Sequence, residues 1–136
     1  MNLIKMAHVP PIVVDSSSSV LEAIRVMVDN NVGAVAVVSE GQIRGIFSER
    51  DVIKKVIYHN LPPDTTPVAE VMTKEVESIS QEMGLTEALQ LMVGRHVRHL
   101  PIVDDGGKVL GILSVRDLLQ GVLDGLQNTA SAASRH

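Results

Sequence analysis

The stretch 20–41, VLEAIRVMVDNNVGAVAVVSEG, aligns without a gap with a later stretch at 85–106, LTEALQLMVGRHVRHLPIVDDG, and this duplication indicates the architecture of the chain. In both copies, apolar residues recur at positions i, i+3, i+4 and i+7, which is the spacing of one apolar helix face. These residues are Val20, Ala23, Ile24 and Met27 in the first copy and Leu85, Ala88, Leu89 and Met92 in the second. A duplication at an offset of 65 residues predicts two similar units.

Each predicted helix is followed by a hairpin and a second helix. Short apolar runs rich in β-branched residues indicate strands at 32–38, 43–47, 100–103 and 109–113. Glycine-containing turns separate the strands of each pair, and helices are expected at 49–59 and 115–125. With extended segments at 12–14 and 76–79, each unit is predicted to be βαββα. Because one unit alone would expose a hydrophobic face, the two should pack about a pseudo-twofold axis and share one core.

These units divide the chain into four parts. We expect a first repeat at 8–59, a linker rich in Pro, Asp and Thr at 60–67, a second repeat at 68–125 and a flexible tail at 126–136. The second repeat should open with a helical turn at 68–72. The predicted fold class is α+β.

Composition excludes several classes of function. The absence of cysteine among 136 residues rules out disulfides, thiolate nucleophiles and cysteine-based zinc sites. A net charge of -4 gives no overall attraction for nucleic acid, and an aromatic content of 1% leaves almost no stacking surface for bases. The N-terminal stretch 1–14 resembles neither a signal peptide nor a membrane span, so we expect a cytoplasmic protein without a membrane anchor.

The strongest chemical signal is a junction between hairpin and helix that occurs twice, as GIFSERD at 45–51 and GILSVRD at 111–117. Both copies keep glycine, serine and aspartate at the same spacing. A serine at a helix start can place backbone N–H groups around a phosphate, and an aspartate one turn later can accept hydrogen bonds from ribose hydroxyls. The same spacing also forms a simple capping box, which stabilises a helix by about 1 kcal/mol without any ligand. Recurrence at equivalent points of the repeat favours the binding site.

These junctions resemble the ribose-phosphate signature of cystathionine beta-synthase (CBS) repeats: glycine, two apolar residues, Ser or Thr, two variable residues and Asp. The resemblance covers nearly all of residues 10–125, including Val71-Met72-Thr73 and the strand 98–104. It implies a stand-alone, prokaryotic-type tandem CBS pair, or Bateman module. Such a pair is expected to bind an adenosine-containing ligand in the cleft between its repeats.

By this resemblance, the ligand should be AMP, ADP or ATP, with NAD and S-adenosylmethionine as further candidates. The residues implied to contact it are Ser114, Asp117, Arg98, His99, Arg116, Ile112, Ser48, Asp51, Arg50, Ile46, Ile12, Val13, Val76 and Glu77. The serines, aspartates and basic residues are assigned to ribose and phosphate, and the others to the adenine walls. For the basic residues an alternative stays open: Arg50 and Arg116 can instead pair with a neighbouring carboxylate on the helix, and Arg98 and His99 can be a surface arginine and a histidine with protein partners. Arg98 and His99 favour a phosphorylated ligand.

The two pockets should not be equal. The counterparts of Arg98 and His99 in the first repeat are Gly33 and Ala34, which are small and uncharged. We therefore expect the pocket of Ser114 and its aspartate, assisted by the basic pair, to bind a nucleotide more tightly. Because each cleft takes walls from both repeats, the opposite assignment of the basic pair stays open.

The leading hypothesis is a regulatory module for functions such as energy sensing, which binds an adenine nucleotide and signals to an unknown target protein in trans. It would be a homodimer that requires no cofactor and binds neither nucleic acid nor membrane. An enzyme is disfavoured, because the sequence has no P-loop, no recognisable Ser-His-Asp order and no carboxylate cluster for magnesium. His96 and His99 lack the further ligands of a metal site. A structural dimerisation module with unoccupied pockets is the remaining alternative.

Overall fold

The chain folds into two repeats of mixed helix and strand, as predicted. The computed structural model describes residues 3–134 and the side chains of residues 3–126. The first repeat contains β1 (Val13–Asp15), α1 (Val20–Asn30), β2 (Ala34–Ser39), β3 (Gln42–Ser48), α2 (Glu49–Asp51) and the π-helical segment Val52–Ile57. After it come α3 (Val68–Val71), α4 (Leu85–Arg95), β4 (His99–Val103), β5 (Val109–Ser114) and α5 (Val115–Ser134).

Two helices differ from their predictions. The helix expected at 49–59 is α-helical only over α2 and then widens into the π-helical segment, which ends at Ile57. Helix α5 continues to Ser134 instead of ending near Gly125, so most of the tail predicted at 126–136 is helical. Arg135 and His136 lie outside the described residues, and the flexibility of the tail stays a prediction.

The first strand of the second repeat is almost lost. In the first repeat, β1 runs parallel to β2, and β2 pairs with β3 in antiparallel fashion. In the second, the strand expected at 76–79 is reduced to one parallel bridge between Ile79 and Ile102 beside the β4–β5 hairpin. The Ala36 N–H donates to the carbonyl of Ile12 at 3.2 Å. Its counterpart Pro101 has no N–H, so the ladder cannot form in the same way.

The expectation of one shared core is wrong, because each repeat has its own. Phe47 is fully buried in the core of the first repeat and Leu113 in that of the second. A third, smaller cluster of Ala36, Val109 and Ile112 joins the two sheets. Two separate cores packed through a small apolar contact leave room for clefts on either side of that contact.

The repeats exchange their leading segments, which are the stretches that contain Leu3 and Val68 and precede the first and second repeat. Helix α3 packs its Val68 and Val71 into the core of the first repeat, although residues 68–72 were expected to open the second. Leu3 is fully buried in the core of the second repeat, although it precedes the first in sequence. Backbone bridges Ile46–Thr73 and His8–Ile112 fix these crossings, which are equivalent under the repeat.

The crossings explain the glycine of each junction. A Cβ atom on Gly45 would lie 2.6 Å from the carbonyl oxygen of Thr73 and 2.8 Å from the Met72 sulfur. A Cβ on Gly111 would lie 3.0 Å from the nearest carbon of Val9. Glycine is therefore needed here to let the leading segment of one repeat pass over the hairpin of the other, independently of any ligand.

Candidate functional site: two clefts between the repeats

Two clefts lie between the repeats, and each contains one of the two junctions. Cleft A, with a volume of about 430 Å³, contains the junction of the first repeat. Its predicted lining residues are Ile46, Ser48, Arg50, Asp51, Val76, Glu77, Arg98 and His99. Cleft B, of about 1050 Å³, contains the junction of the second repeat. Its predicted lining residues are Ile12, Arg98, His99, Ile112, Ser114, Arg116 and Asp117.

Val13 is the one predicted residue that lines neither cleft. It is 40% exposed, whereas its neighbour Val14 is buried in the core of the first repeat. Successive side chains of a strand point to opposite faces. Ile12 lies on the same face as Val14, against the core and in cleft B, so Val13 points away from the ligand space.

The junction in cleft A forms a complete capping box. The Ser48 hydroxyl accepts a hydrogen bond from the backbone N–H of Asp51 at 3.4 Å, and the Ser48 N–H donates to Asp51 Oδ2 at 2.9 Å. The other carboxylate oxygen, Oδ1, accepts from the Thr73 hydroxyl at 3.1 Å and pairs with the Lys55 ammonium at 3.0 Å. Asp51 is only 5% exposed. The aspartate predicted to hold ribose is thus already bonded within the protein.

The junction in cleft B has the same capping box with fewer additional partners. Ser114 accepts from the Asp117 N–H at 3.0 Å, and the Ser114 N–H donates to Asp117 Oδ2 at 3.0 Å. Among the side chains that the structure describes, no donor reaches Asp117 Oδ1. Capping, the alternative considered for both junctions, is therefore present in both, yet in cleft B it leaves one carboxylate oxygen free.

Arg98 and His99 line both clefts. The pair was assigned to the pocket of Asp117 with the opposite assignment left open, and its position between the clefts does not decide between the two assignments. The reason for this position is the absence of a side chain at Gly33: the His99 ring packs across to the first repeat, where a Cβ at Gly33 would lie 3.5 Å from its Cε1. Burial lowers the pKa of His99 below its ordinary value, while the carboxylates of Asp117 and Glu49 partly oppose this shift.

Other predicted residues already have protein partners. Arg50 donates to the carbonyl of His96 at 3.2 Å, which ties the first repeat to the end of α4. The Glu77 carboxylate lies 3.9 Å from Nε of Arg95 on that helix. Arg116, the counterpart of Arg50, lines cleft B without a hydrogen bond or ion pair among the described residues. Arg116 and Arg98 are the cations available to a ligand in cleft B.

The duplicated arrangement matches that of a known protein family. The family model described as the CBS domain matches residues 4–58 and again residues 68–124. The chain belongs to the CBS domain family. Pairs of CBS domains are in general ligand-sensing regulatory modules.

Similar CBS proteins occur in bacteria and archaea. The CBS domain-containing protein YhcV of Bacillus subtilis is 37% identical over 105 residues, covering 77% of this chain and 74% of YhcV. The crystal structure of a conserved protein from Pyrococcus horikoshii has a TM-score of 0.81 at 31% identity, covering 89% and 91% of the two chains. The chain spans about half the length of some other curated relatives.

A further similar structure contains ligands. The CBS domain pair of protein MJ0100, in complex with 5'-methylthioadenosine and S-adenosyl-L-methionine, has a TM-score of 0.80. At 24% identity, covering 88% of this chain and 98% of that chain, this likeness concerns the fold.

Several residues that line the clefts of this CBS pair were not predicted. Cleft A also contains Lys54 and Thr73, and cleft B also contains His8 and Asn31. Thr73 was noted only as part of the family resemblance. Its counterpart His8, at the same offset of 65 residues, could have been found by extending the repeat towards the N-terminus. The crossing of the leading segments brings both residues to the junctions.

Within the described part of this CBS protein, no group of three or more His, Cys, Asp or Glu residues is arranged to hold a metal ion. Within the same residues, no helix has the length and apolar character needed to cross a bilayer.

Proposed function

We propose that this CBS pair binds an adenine nucleotide of the AMP, ADP or ATP class between its repeats and conveys its occupancy to a target protein in trans. The observation that carries the proposal is the composition of cleft B. In this cleft, Asp117 of the capping box has one carboxylate oxygen without a donor among the described residues. It lies with the cations Arg98 and Arg116 and with apolar walls from both repeats.

The carboxylate supports a ribose ligand. Asp117 Oδ2 is held by the Ser114 N–H, so the orientation of the group is fixed before a ligand arrives. Oδ1 is then available to accept from a ribose hydroxyl, and hydrogen bonds to an ionised acceptor are stronger than neutral ones.

The cations and the helix start support a phosphate. Arg98 is exposed at the cleft and supplies a guanidinium, which forms paired hydrogen bonds to phosphate oxygens. Helix α5 begins directly after Ser114, and the positive end of its dipole favours an anion, although the Val115 N–H already donates to the Arg98 carbonyl and the Asp117 N–H to the Ser114 hydroxyl. A ligand without phosphate, such as S-adenosylmethionine, would leave these groups unused, although MJ0100 binds such ligands.

The apolar walls support adenine. Ile12 and Ile112 line cleft B, and Ile46 and Val76 line cleft A. The chain has no tryptophan, its one Phe is buried in the core and its one Tyr lines neither cleft, so the apolar walls offered to the base are aliphatic. Backbone groups beside these walls can read its edge. Cavities of a few hundred to about 1,000 Å³ suit such a ligand.

The ligand can be signalled through the relative position of the repeats, because each cleft is lined by side chains from both repeats. A ligand that contacts both repeats stabilises one relative position of the two cores. No bond in the nucleotide needs to break. A partner that distinguishes the filled from the empty arrangement would read the signal.

We also propose a homodimer. Four apolar side chains at equivalent points of the two repeats are more than half exposed: Ile53, Ile57, Leu119 and Leu123, at 63%, 66%, 55% and 53%. Such patches are typical of protein interfaces. Light scattering of the wild type should give twice the chain mass, and of Ile57→Glu combined with Leu123→Glu the chain mass. A monomeric wild type at micromolar concentration contradicts the dimer.

Calorimetric titration with AMP, ADP, ATP, NAD, S-adenosylmethionine and adenosine tests the ligand, with chromatography of each mixture for products. We expect AMP, ADP or ATP to bind more tightly than adenosine and to be recovered unchanged. Arg98→Ala should weaken AMP binding about 5-fold and leave adenosine unaffected, because an exposed charge contact contributes about 1 kcal/mol. Binding of no adenosyl compound would favour a structural dimerisation module, and a new product would indicate an enzyme.

A further inference from the structure

The aspartates of the two junctions differ in how many of their acceptor positions are occupied. An ionised carboxylate has about four lone-pair positions. Asp51 uses all of them: Oδ2 accepts from the Ser48 N–H at 2.9 Å and hydroxyl at 3.2 Å, and Oδ1 binds the Thr73 hydroxyl at 3.1 Å and the Lys55 ammonium at 3.0 Å. Asp117 accepts one hydrogen bond from the described residues, the Ser114 N–H.

Two sequence differences between the repeats cause this. The counterpart of Lys55 is Gly121, and the side chain of Met6 lies where a Cβ on this glycine would be. No cation can therefore reach Asp117 from that position. The counterpart of Thr73 is His8, which makes no side-chain hydrogen bond to Asp117. The second junction keeps the capping box but lacks both donors to the remaining oxygen.

The occupied carboxylate has a consequence for a ribose ligand. A ribose hydroxyl can bond to Asp117 Oδ1 without breaking any contact within the protein. At Asp51 it must first displace the Thr73 hydroxyl or the Lys55 ammonium, and the second bond is charge-assisted. Because the Lys55 side chain is 40% exposed, its displacement has a moderate cost. Ribose binding in cleft A is therefore weakened but not abolished.

We propose, building on the proposed function, that Lys55 is an intramolecular competitor of ribose at Asp51. A nucleotide then fills cleft B first and cleft A only at higher concentration. Arg98 and His99 do not produce this order, because they line both clefts. Lys55 is a specificity-determining residue that separates two sites of nearly identical sequence.

The test isolates cleft A with Asp117→Asn, which can still accept from the Ser114 N–H but replaces the free carboxylate oxygen with an amide. In this background, calorimetric titration with AMP should show tighter binding for Lys55→Met by roughly 2- to 5-fold, the range of an exposed ion pair. Lys54→Met is the matched control. This substitution removes the same charge from the adjacent position. Lys54 lines cleft A and makes no bond to Asp51, so its loss should weaken AMP binding.

A second background separates the remaining outcomes. With Asp51→Asn, only cleft B keeps its carboxylate, and Lys55→Met should not change AMP binding by more than about 1.5-fold. Equal or weaker AMP binding for Lys55→Met in the Asp117→Asn background would overturn the inference and leave the proposed function intact. If wild-type protein binds no AMP, ADP or ATP, the proposed function fails and this inference fails with it.

Discussion

The junctions at Ser48 and Ser114 have nearly the same sequence and the same capping box, yet they present different chemistry to a cleft. In the first, Lys55 and Thr73 bind one carboxylate oxygen of the aspartate; in the second, no described residue donates to the corresponding oxygen. The difference lies outside the repeated motif, four residues after the aspartate and in the segment that crosses from the other repeat. A motif of this kind therefore predicts where a ligand can bind, whereas its neighbours decide how readily it does.

The helices behind the junctions differ as well. Helix α5 is α-helical over 20 residues, whereas α2 is α-helical over three and then becomes a π-helix. Because the attraction of a helix start for an anion falls off within the first turn, which both junctions have, this difference in length does not separate the two clefts.

The largest effect is expected from the free carboxylate. Asp117→Asn should weaken the tighter AMP site about 10- to 150-fold, because hydrogen bonds to a charged group contribute about 1.5–3 kcal/mol. Asp51→Asn should change the tighter site little. Calorimetric titration of the two variants measures both effects. Loss of the tighter site in Asp51→Asn alone would reverse the comparison.

A second comparison concerns folding at the crossings. Gly45→Ala should destabilise the protein by about 1–3 kcal/mol, because its methyl group would meet a backbone oxygen at 2.6 Å, which cannot move freely. Gly111→Ala should cost less, since its methyl group would meet a side-chain carbon at 3.0 Å. Urea unfolding monitored by circular dichroism gives both values. Equal losses would show that the two crossings are equally tight.

The glycines also show how far the sequence alone could lead. The repeat, the starts of its helices and the position of both junctions followed from the spacing of apolar and turn residues, and the structure confirms them. The crossings could not be predicted, because burial of Leu3 and Val68 in the opposite repeats depends on contacts between distant segments. The motif glycines, expected as part of a ligand signature, have a packing role at these crossings that the local sequence does not reveal.

Two further differences have local physical causes, whereas a third depends on the packing of the two repeats. Pro101 lacks the N–H that its counterpart Ala36 uses, and this shortens the sheet of the second repeat. Lys55 lies four residues after Asp51, a spacing that predicts an ion pair on a helix and would have indicated an occupied carboxylate. The shared position of His99 could not be seen from spacing, since it depends on how closely the two repeats approach.

The smallest effect is expected from His99, the residue common to both clefts. Burial lowers its pKa in the folded state, so the unfolded chain binds the proton more readily as the pH falls. The stability that depends on neutral His99 is therefore present above the ordinary histidine pKa of about 6.5 and is lost as the pH falls through the lower pKa of the folded state. His99→Gln should make unfolding free energy less dependent on pH between about 7 and 5. An unchanged slope contradicts a lowered pKa at this site.

The central claim, that a nucleotide enters the cleft of Asp117 before that of Asp51, is tested most directly by titrating ¹⁵N-labelled wild-type protein with AMP. The backbone amides of Ser114 and Ser48 report separately on the two junctions, because each donates to its own aspartate. We expect the Ser114 and Asp117 resonances to shift and saturate first, with the Ser48 and Asp51 resonances following at higher AMP concentration. Resonances of Ser48 and Asp51 that saturate first, or that move together with those of Ser114 and Asp117, would contradict the claim.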